Sequence, residues 1–293
     1  GNKDIDCLLE KVKLVESQEK FSLSSSMASQ IVKALVGKSS DNQIKEKYLE
    51  AYYHMVYGLY KYGDTSKDTT KVAKGLLDVF ASNGNTGAML VGSMYKLNTI
   101  PGVIRPCITS TLPTINDGKS VLLDVGSNAD CKSDVLYQFA VLGSVYAETV
   151  LNIPNPKIAL LNIGEEDSKG NLLSIAAYKL LSETDEINFI GNIEGRDIFT
   201  GVADVIVCDG FTGNIVLKEA EGIFTLMKKR GIKDEYFDRF NYENYGGTPV
   251  LGVKGNAIIG HGISNDIAVK NMLLHAHEVV VSDLAEKINE AFN

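Results

Sequence analysis

The chain has 293 residues, of which 44% are hydrophobic and 23% are charged, so it is long enough to bury a large core. Its net charge of −8 argues against nucleic acid as the main partner, because phosphate-backbone binding requires a basic surface. No run of about 18 apolar residues suggests a membrane span. No signal peptide is recognised, and the four scattered cysteines favour a reduced, cytoplasmic protein without a zinc site.

Residues 1–75 are predicted to form a helical segment. Apolar residues recur there at helical spacing in three stretches, the clearest of which covers residues 48–59. Polar breaks at 22–26 and 37–42 separate these stretches. No motif in this segment carries recognisable chemistry, so we expect the function to reside in an α/β domain over residues 76–293.

From residue 76 onward, short apolar runs alternate with glycine-rich loops and helical patterns. This alternation predicts an α/β fold with a mainly parallel sheet and helices on both faces. The predicted strands cover 77–81, 121–123, 158–163, 187–190, 204–208 and 257–259. Because the loops after parallel strands lie on one edge of a sheet, we expect the six polar loops to line a shared site.

The stretch DVIVCDGFTGNIVLK at residues 204–218 carries the clearest local signal. A buried strand at 204–208 is followed by a glycine-bearing turn at 209–214, and a helical pattern begins at Ile215. The free N–H groups and the dipole at the start of such a helix favour an anion. Taken alone, the stretch fits an ordinary tight turn between strand and helix equally well.

The six loops are rich in glycine, asparagine, aspartate, serine and threonine, and contain few large apolar residues. Asparagines can surround a phosphate or an acyl oxygen without titrating, while Lys169 and Lys218 supply positive charge. His261, between two glycines after a strand, suits anion binding or proton transfer, and a structural role is an equal alternative.

Several reaction classes lack their motifs in this sequence. There is no hydrolase nucleophile elbow, no Walker A sequence and no dinucleotide fingerprint after a strand. The carboxylates at the strand ends are scattered, so no metal site and no cofactor are predicted. What remains is transfer to or from a small oxyanion, without a covalent intermediate.

Eight sequence motifs, in order, resemble one known family, the PlsX-type phosphate acyltransferases. They are SNGNTGAML (82–90), PGVIRPC (101–107), LLDVGSNADCKSD (122–134), LLNIGEEDSKGN (160–171), NFIGNIEGRD (188–197), DGFTGNIVLKEAEG (209–222), YGGTPVLGV (245–253) and HGISNDIAVKN (261–271). The resemblance implies transfer of a fatty acyl group from acyl carrier protein to inorganic phosphate, for phospholipid synthesis. It also implies a Rossmann-like three-layer α/β/α sandwich related to the isocitrate and isopropylmalate dehydrogenases, and a homodimer that associates peripherally with the membrane.

The resemblance assigns roles to individual residues. It implies catalytic roles for Lys169, Asn214 and His261, with phosphate attacking the thioester carbonyl directly. It implies that a larger set in the same loops binds phosphate and substrate: Asn85, Thr86, Gly87, Asp124, Gly126, Asn128, Asn171, Asn192, Asp209, Gly213, Lys218 and Ser264.

The region 223–240 matches the family's membrane-contacting helical tip, and it looks shorter here. The candidate contact residues are apolar or basic: Ile223, Phe224, Met227, Lys228, Lys229 and Arg230. A basic patch of this kind suits anionic lipid or the acidic carrier protein. A helix packed on its own domain, with a solvated basic end, is the alternative.

Residues 1–75 depart from the family, whose N-terminal glycine-rich motif they lack. Two alternatives to the phosphate acyltransferase therefore remain open. One is an enzyme of the phosphotransacetylase type that uses an acyl-CoA. The other is a noncatalytic relative that binds acyl carrier protein or membrane.

Overall fold

The computed structural model describes residues 72–75 and 77–293. Apart from residues 72–75, the helical segment expected over residues 1–75 lies outside the described residues. The boundary expected at residue 76 stays a prediction.

The described chain alternates strands and helices from residue 79 onward. The strands are β1 (Val79–Ser82), β2 (Cys107–Pro113), β3 (Lys119–Leu123), β4 (Lys157–Leu161), β5 (Asn188–Ile193), β6 (Val205–Val207), β7 (Thr248–Leu251) and β8 (Asn256–Ile259). The helices are α1 (Thr86–Leu97), α2 (Ser133–Thr149), α3 (Leu172–Ser182), α4 (Gly210–Lys229), α5 (Glu235–Asp238), α6 (Asp266–Val281) and α7 (Leu284–Ala291). Short 3₁₀ turns cover Gly195–Asp197 and Tyr242–Asn244.

The described strands form one sheet in the order β1-β8-β7-β2-β3-β6-β4-β5. The β1/β8, β3/β6, β6/β4 and β4/β5 pairs are parallel, whereas β8/β7, β7/β2 and β2/β3 are antiparallel. The predicted α/β fold with a mainly parallel sheet is confirmed. The two antiparallel central strands, β2 and β7, were not predicted.

The expectation that all six loops share one edge of a parallel sheet is wrong. Because β2 and β7 are antiparallel to each other and to their outer neighbours, the β8/β1 pair runs opposite to β3, β6, β4 and β5. The two groups nevertheless end close together. Leu123 at the end of β3 pairs with Thr109 of β2, and Ile259 at the end of β8 pairs with Thr248 of β7. Two residues beyond Thr248, Val250 pairs with Ile108 of β2. Both groups of loops therefore converge near the start of β2.

Helices cover both faces of the sheet, as a three-layer sandwich requires. On one face, α2, α3, α6 and α7 pack on a core that includes Phe139, Leu181 and Met272. On the other face, α1 and α4 pack around Ile108, Leu122 and Ile206. The cleft described below lies on this second face and is lined by both α4 and β2.

Candidate active site

A cavity of about 480 Å³ lies where the loops after β1, β3 and β8 meet α4 and β2. It brings together six of the residues predicted from the sequence: Thr86, Gly126, Asn214, Lys218, His261 and Ser264. These residues come from both groups of strands. The pairing of both β3 and β7 with β2 therefore brings loops that follow strands of opposite direction into one polar site.

The start of α4 forms one wall of this cavity. The helix begins at Gly210, so the predicted turn at 209–214 is its first turn, and Ile215 lies inside it. Asp209 caps the helix, because its carboxylate accepts hydrogen bonds from the Thr212 amide at 2.8 Å and the Thr212 hydroxyl at 3.0 Å.

Close packing explains the glycines of this turn. A Cβ at Gly213 would lie 1.9 Å from the carbonyl oxygen of Asp124. A Cβ at Gly210 would lie 2.8 Å from backbone atoms of Asn128. Glycine here lets the helix pack directly on the loop after β3, and the backbone stays helical.

One face of α4 then presents side chains to the cavity. Asn214, Leu217, Lys218 and Glu221 all line it, and their spacing of three, four and seven residues places them on one side of a helix. Gly126 of the facing loop has φ +129 and lies against Asn214, since a Cβ there would be 3.4 Å from the asparagine side chain.

Lys218, Glu221 and His261 form a charged cluster at the polar end of the cavity. The Lys218 Nζ lies 2.7 Å from Glu221 Oε2, and His261 Nε2 lies 4.0 Å from the same oxygen. Partial burial, and then the positive charge of Lys218, lower the pKa of His261, while Glu221 partly opposes them. The imidazole is therefore biased toward its neutral form.

The ring of His261 is held from a second side. Tyr242 lies against it with ring centroids 4.8 Å apart. The Nδ1 atom of His261 is buried and has no hydrogen-bond partner among the described residues. A neutral imidazole with one free buried nitrogen is suited to bind or accept a proton from a ligand in this cavity.

Asp124 and Asn128 support the cavity from beneath the loop after β3. Asp124 is fully buried and accepts hydrogen bonds from the amides of Ile108, Ser127 and Asn128, from the Ser127 hydroxyl and from the Asn128 side chain. The Asn128 amide also donates to the carbonyl of Pro106 at 2.9 Å. Their polar groups are engaged within the protein, which fixes the loop that carries Gly126.

Residues at or near the starts of three helices line the cavity. Asn85 caps α1 by accepting from the Ala88 amide at 3.0 Å, and Thr86, the first residue of this helix, lines the cavity, with Gly87 beside it. Ser264 precedes α6, and α4 contributes Asn214 near its start. The N-terminal ends of α1 and α6 lie at the cavity and favour an anion there. The first turn of α4 packs on the loop after β3, so this helix contributes the Asn214 side chain.

The structure places Lys169, Asn171 and Asn192 outside the lining of this cavity. Lys169 is exposed on the loop after β4, and Asn171 caps α3 through the Ser174 amide. The Asn192 side chain donates to the carbonyl of Glu166 at 2.8 Å, which joins the loops after β4 and β5. β4 and β5 run parallel to β3 and β6, so these three residues share the sheet edge that carries Gly126.

The predicted contact residues occupy the far end of α4 and its cap. Ile223 and the three cations are exposed, while Phe224 and Met227 are half-buried. Lys228 Nζ lies 5.9 Å from the centre of the Phe224 ring. Among the described helices, none is long and apolar enough to cross a membrane.

Among the side chains beside His261, sequence reasoning missed Glu221 and Tyr242. Glu221 could have been found, because it lies three residues after Lys218 and seven after Asn214 on a predicted helix. Tyr242 lies 19 residues before His261 in the sequence, and no local pattern connects the two residues.

Comparisons with known proteins agree with this architecture. A sequence model of the family described as "fatty acid synthesis protein" matches residues 63–287. The phosphate acyltransferase of Desulforamulus reducens is 46% identical over 241 residues, which cover 76% of this chain and 72% of the relative. The phosphate acyltransferase of Dictyoglomus thermophilum is 39% identical over 275 residues, which cover 85% of this chain and 80% of the relative.

Among solved structures, a branched-chain phosphotransacylase from Enterococcus faecalis has a similar fold. Its TM-score is 0.55 at 15% identity, over 74% of this chain and 78% of that one. At this identity the likeness concerns the fold alone. On the sequence match and the identity to its relatives, the chain belongs to the fatty acid synthesis protein family, which includes these phosphate acyltransferases.

Proposed function

We propose that this chain transfers a fatty acyl group from the thioester of acyl carrier protein to inorganic phosphate, giving an acyl phosphate for phospholipid synthesis. Family membership supports the acyl transfer to phosphate. The observation that carries the proposal for this cavity is that the N-terminal ends of α1 and α6 lie in one cavity with Lys218 and His261. That arrangement suits a small anion beside a group that can accept a proton.

In the proposed reaction, an oxygen of hydrogen phosphate attacks the thioester carbonyl. The new C–O bond forms, the C–S bond breaks, and the proton of the phosphate ends on the thiol of the carrier. Lys218 and the helix N-termini hold the phosphate, Asn214 donates to the developing oxyanion, and neutral His261 relays the proton.

We also propose a catalytic role for Lys169, which rests on the family resemblance because this residue does not line the cavity. Its loop lies at the same sheet edge as Gly126, and its side chain is exposed. We expect Asn214→Ala and Lys169→Ala each to lower acyl phosphate formation by orders of magnitude without unfolding the chain. Near-normal turnover in both variants would remove these assignments, and a loss confined to Asn214→Ala would exclude the Lys169 loop from the site.

One assay separates the three hypotheses, namely a phosphate acyltransferase, a phosphotransacetylase and a noncatalytic relative. The protein is incubated with phosphate and either an acyl carrier thioester or an acyl-CoA, and acyl phosphate is trapped as the hydroxamate. Turnover with the carrier thioester supports the proposal, whereas turnover with acyl-CoA alone supports a phosphotransacetylase. Carrier binding without turnover on either substrate supports a noncatalytic relative.

The proposal extends to a homodimer that touches the membrane with the end of α4. Exposed Ile223 beside three exposed cations supports a contact with anionic lipid, since basic side chains add electrostatic attraction to apolar burial. Flotation with anionic liposomes should fall when Lys228, Lys229 and Arg230 are replaced by glutamine. Equal flotation of both proteins would favour a helix end that is only solvated.

A further inference from the structure

The cavity has a polar end and an apolar end, which β2 connects. Ile108, Ser110 and Leu112 are alternate residues of this strand and line the cavity. Alternate residues share a face, so these three form a continuous floor. The carbonyl of Ile108 accepts from the Val125 amide at 3.2 Å, which places this residue beside the loop carrying Gly126. Leu112 lies four residues further along, about 13 Å away in an extended strand.

The far end of this floor is closed by an aromatic strap, which we define as residues 234–245. Phe240 of the strap lines the cavity and packs edge-on against Phe199 at 5.2 Å and Tyr236 at 5.5 Å. Arg239 donates to the carbonyls of Thr114 and Gly118, which fixes this part of the strap to the turn between β2 and β3.

The other end of the strap is fixed beside the charged cluster. The Tyr242 hydroxyl donates to the carbonyl of Ile263 at 3.3 Å while its ring lies against His261. The side chain of Asn271 donates to the carbonyl of Glu243 at 2.7 Å. The strap therefore spans the cleft from the reacting end to the tip of the β2–β3 hairpin.

We propose that the apolar end of the cavity is the subsite for the acyl chain, and that Phe240 sets how long a chain it accepts. This inference rests on the proposed function. The chain would run along β2 from Ile108 toward Leu112, beneath Leu217 of α4, and end against Phe240.

Chemistry and size both support this occupant. The thioester carbonyl must lie at the polar end, beside Asn214 and His261, and an acyl chain continues from it as an unbranched apolar rod. Apolar side chains from three elements surround the proposed path, namely Leu112 of β2, Leu217 of α4 and Phe240 of the strap. Arg239, a cation near the far end, is engaged with backbone carbonyls. A volume of about 480 Å³ falls within the usual range for small-molecule pockets.

The positions along β2 also lie at increasing distances from the reacting end, so each should affect a different length of acyl chain. Ser110 lies between Ile108 and Leu112, nearer the reacting end. A large side chain at Ser110 should therefore shorten the accepted chain more than one at Leu112. Removing the ring of Phe240 should lengthen it.

The test measures kcat/KM for a series of saturated acyl carrier thioesters of increasing length. Ser110→Phe should move the preferred length furthest toward short chains, Leu112→Phe should move it less, and Phe240→Ala should move it toward longer chains. Each methylene that loses its apolar contact should cost about fourfold in kcat/KM, the factor for burying one methylene group. Ile115→Phe, on the same hairpin at an exposed position outside the cavity, should leave the profile unchanged. Unchanged profiles in all three cavity variants would overturn the proposal.

A binding experiment tests the subsite without turnover. The chain contains no tryptophan, so Leu112→Trp introduces a single tryptophan at the apolar end, which can be excited apart from the tyrosines. Dibromostearoyl carrier thioester should quench this fluorescence, whereas Ile115→Trp should remain unquenched. Quenching in a protein that forms no acyl phosphate would retain the acyl subsite and reject the proposed function. Absence of quenching at position 112 in a folded protein would reject the subsite.

Discussion

Replacement of Gly213 by alanine tests whether close packing of α4 on the loop after β3 holds the site together. A Cβ at this position would lie 1.9 Å from the carbonyl oxygen of Asp124 and 2.9 Å from the sulfur of Cys208. Real Cβ contacts are essentially never shorter than 3.0 Å, so the helix and the loop must separate by about 1.1 Å. Overpacking a core costs up to about 3 kcal/mol, while alanine in a helix gains up to about 1 kcal/mol over glycine. We expect a net loss of about 2 kcal/mol in the free energy of unfolding.

The same displacement should reach the chemistry, because Asn214 is the next residue. A misplacement of about 1 Å can lower turnover by about 100-fold. Urea unfolding and hydroxamate detection of acyl phosphate measure the two effects. The matched control is Gly222→Ala in the same helix, where a Cβ meets nothing within 4 Å and stability should rise by about 0.5–1 kcal/mol. If Gly213→Ala unfolds at the same urea concentration as wild type and keeps its activity, the packing argument is refuted.

Three further predictions concern the site. Asp124→Ala should lower the free energy of unfolding in urea by about 3 kcal/mol or more, because it leaves several buried donors without an acceptor; a loss below about 1 kcal/mol would contradict this. Lys218→Met should raise the KM for phosphate, and Glu221→Gln should lower it by freeing Lys218 from its 2.7 Å ion pair, whereas Glu219→Gln on the exposed side should do neither. Because the pKa of His261 is lowered in the folded chain, the unfolded state takes up a proton first as the pH falls below about 6.5, so stability should decrease there and His261→Asn should flatten that decrease. Identical pH–stability curves for this variant and wild type would show that His261 is not the group involved.

The alternation of strands and helices could be predicted because each element carries its own local pattern. Val121 to Leu123 and the run before Asp209 are short apolar stretches followed by polar loops, and both are buried strands. Strand β2 gave no such signal. Its sequence, CITSTLP, mixes hydroxyl and apolar side chains. Its burial depends in part on β7, which is distant in sequence, since Ile108 pairs with Val250, 142 residues later. The direction of the β8/β1 pair follows from β2 and β7, so it could not be predicted either.

The site was predictable in part for a similar reason. The motif around Asn214 and the glycine-flanked His261 are visible in the sequence, and both residues line the cavity. The glycines of DGFTGN predicted a turn, because glycine is common in turns. Here Gly213 serves a long-range contact with Asp124, 89 residues earlier in the chain, and local sequence carries no sign of such a contact. Tyr242 likewise reaches His261 only through the fold.

The sheet order has a consequence for how the chain acquires its structure during synthesis. Strands β2 to β6 are contiguous in sequence, from Cys107 to Val207, and can pair with one another once this part has left the ribosome. β1 is made earlier, yet its partner in the sheet is β8, and Val79 pairs with Asn256. Pairing over such a separation is slow, because a long loop must close before any contact forms. β1 must therefore wait for nearly the whole chain, and the cavity, which needs the loops after both β1 and β8, is completed last.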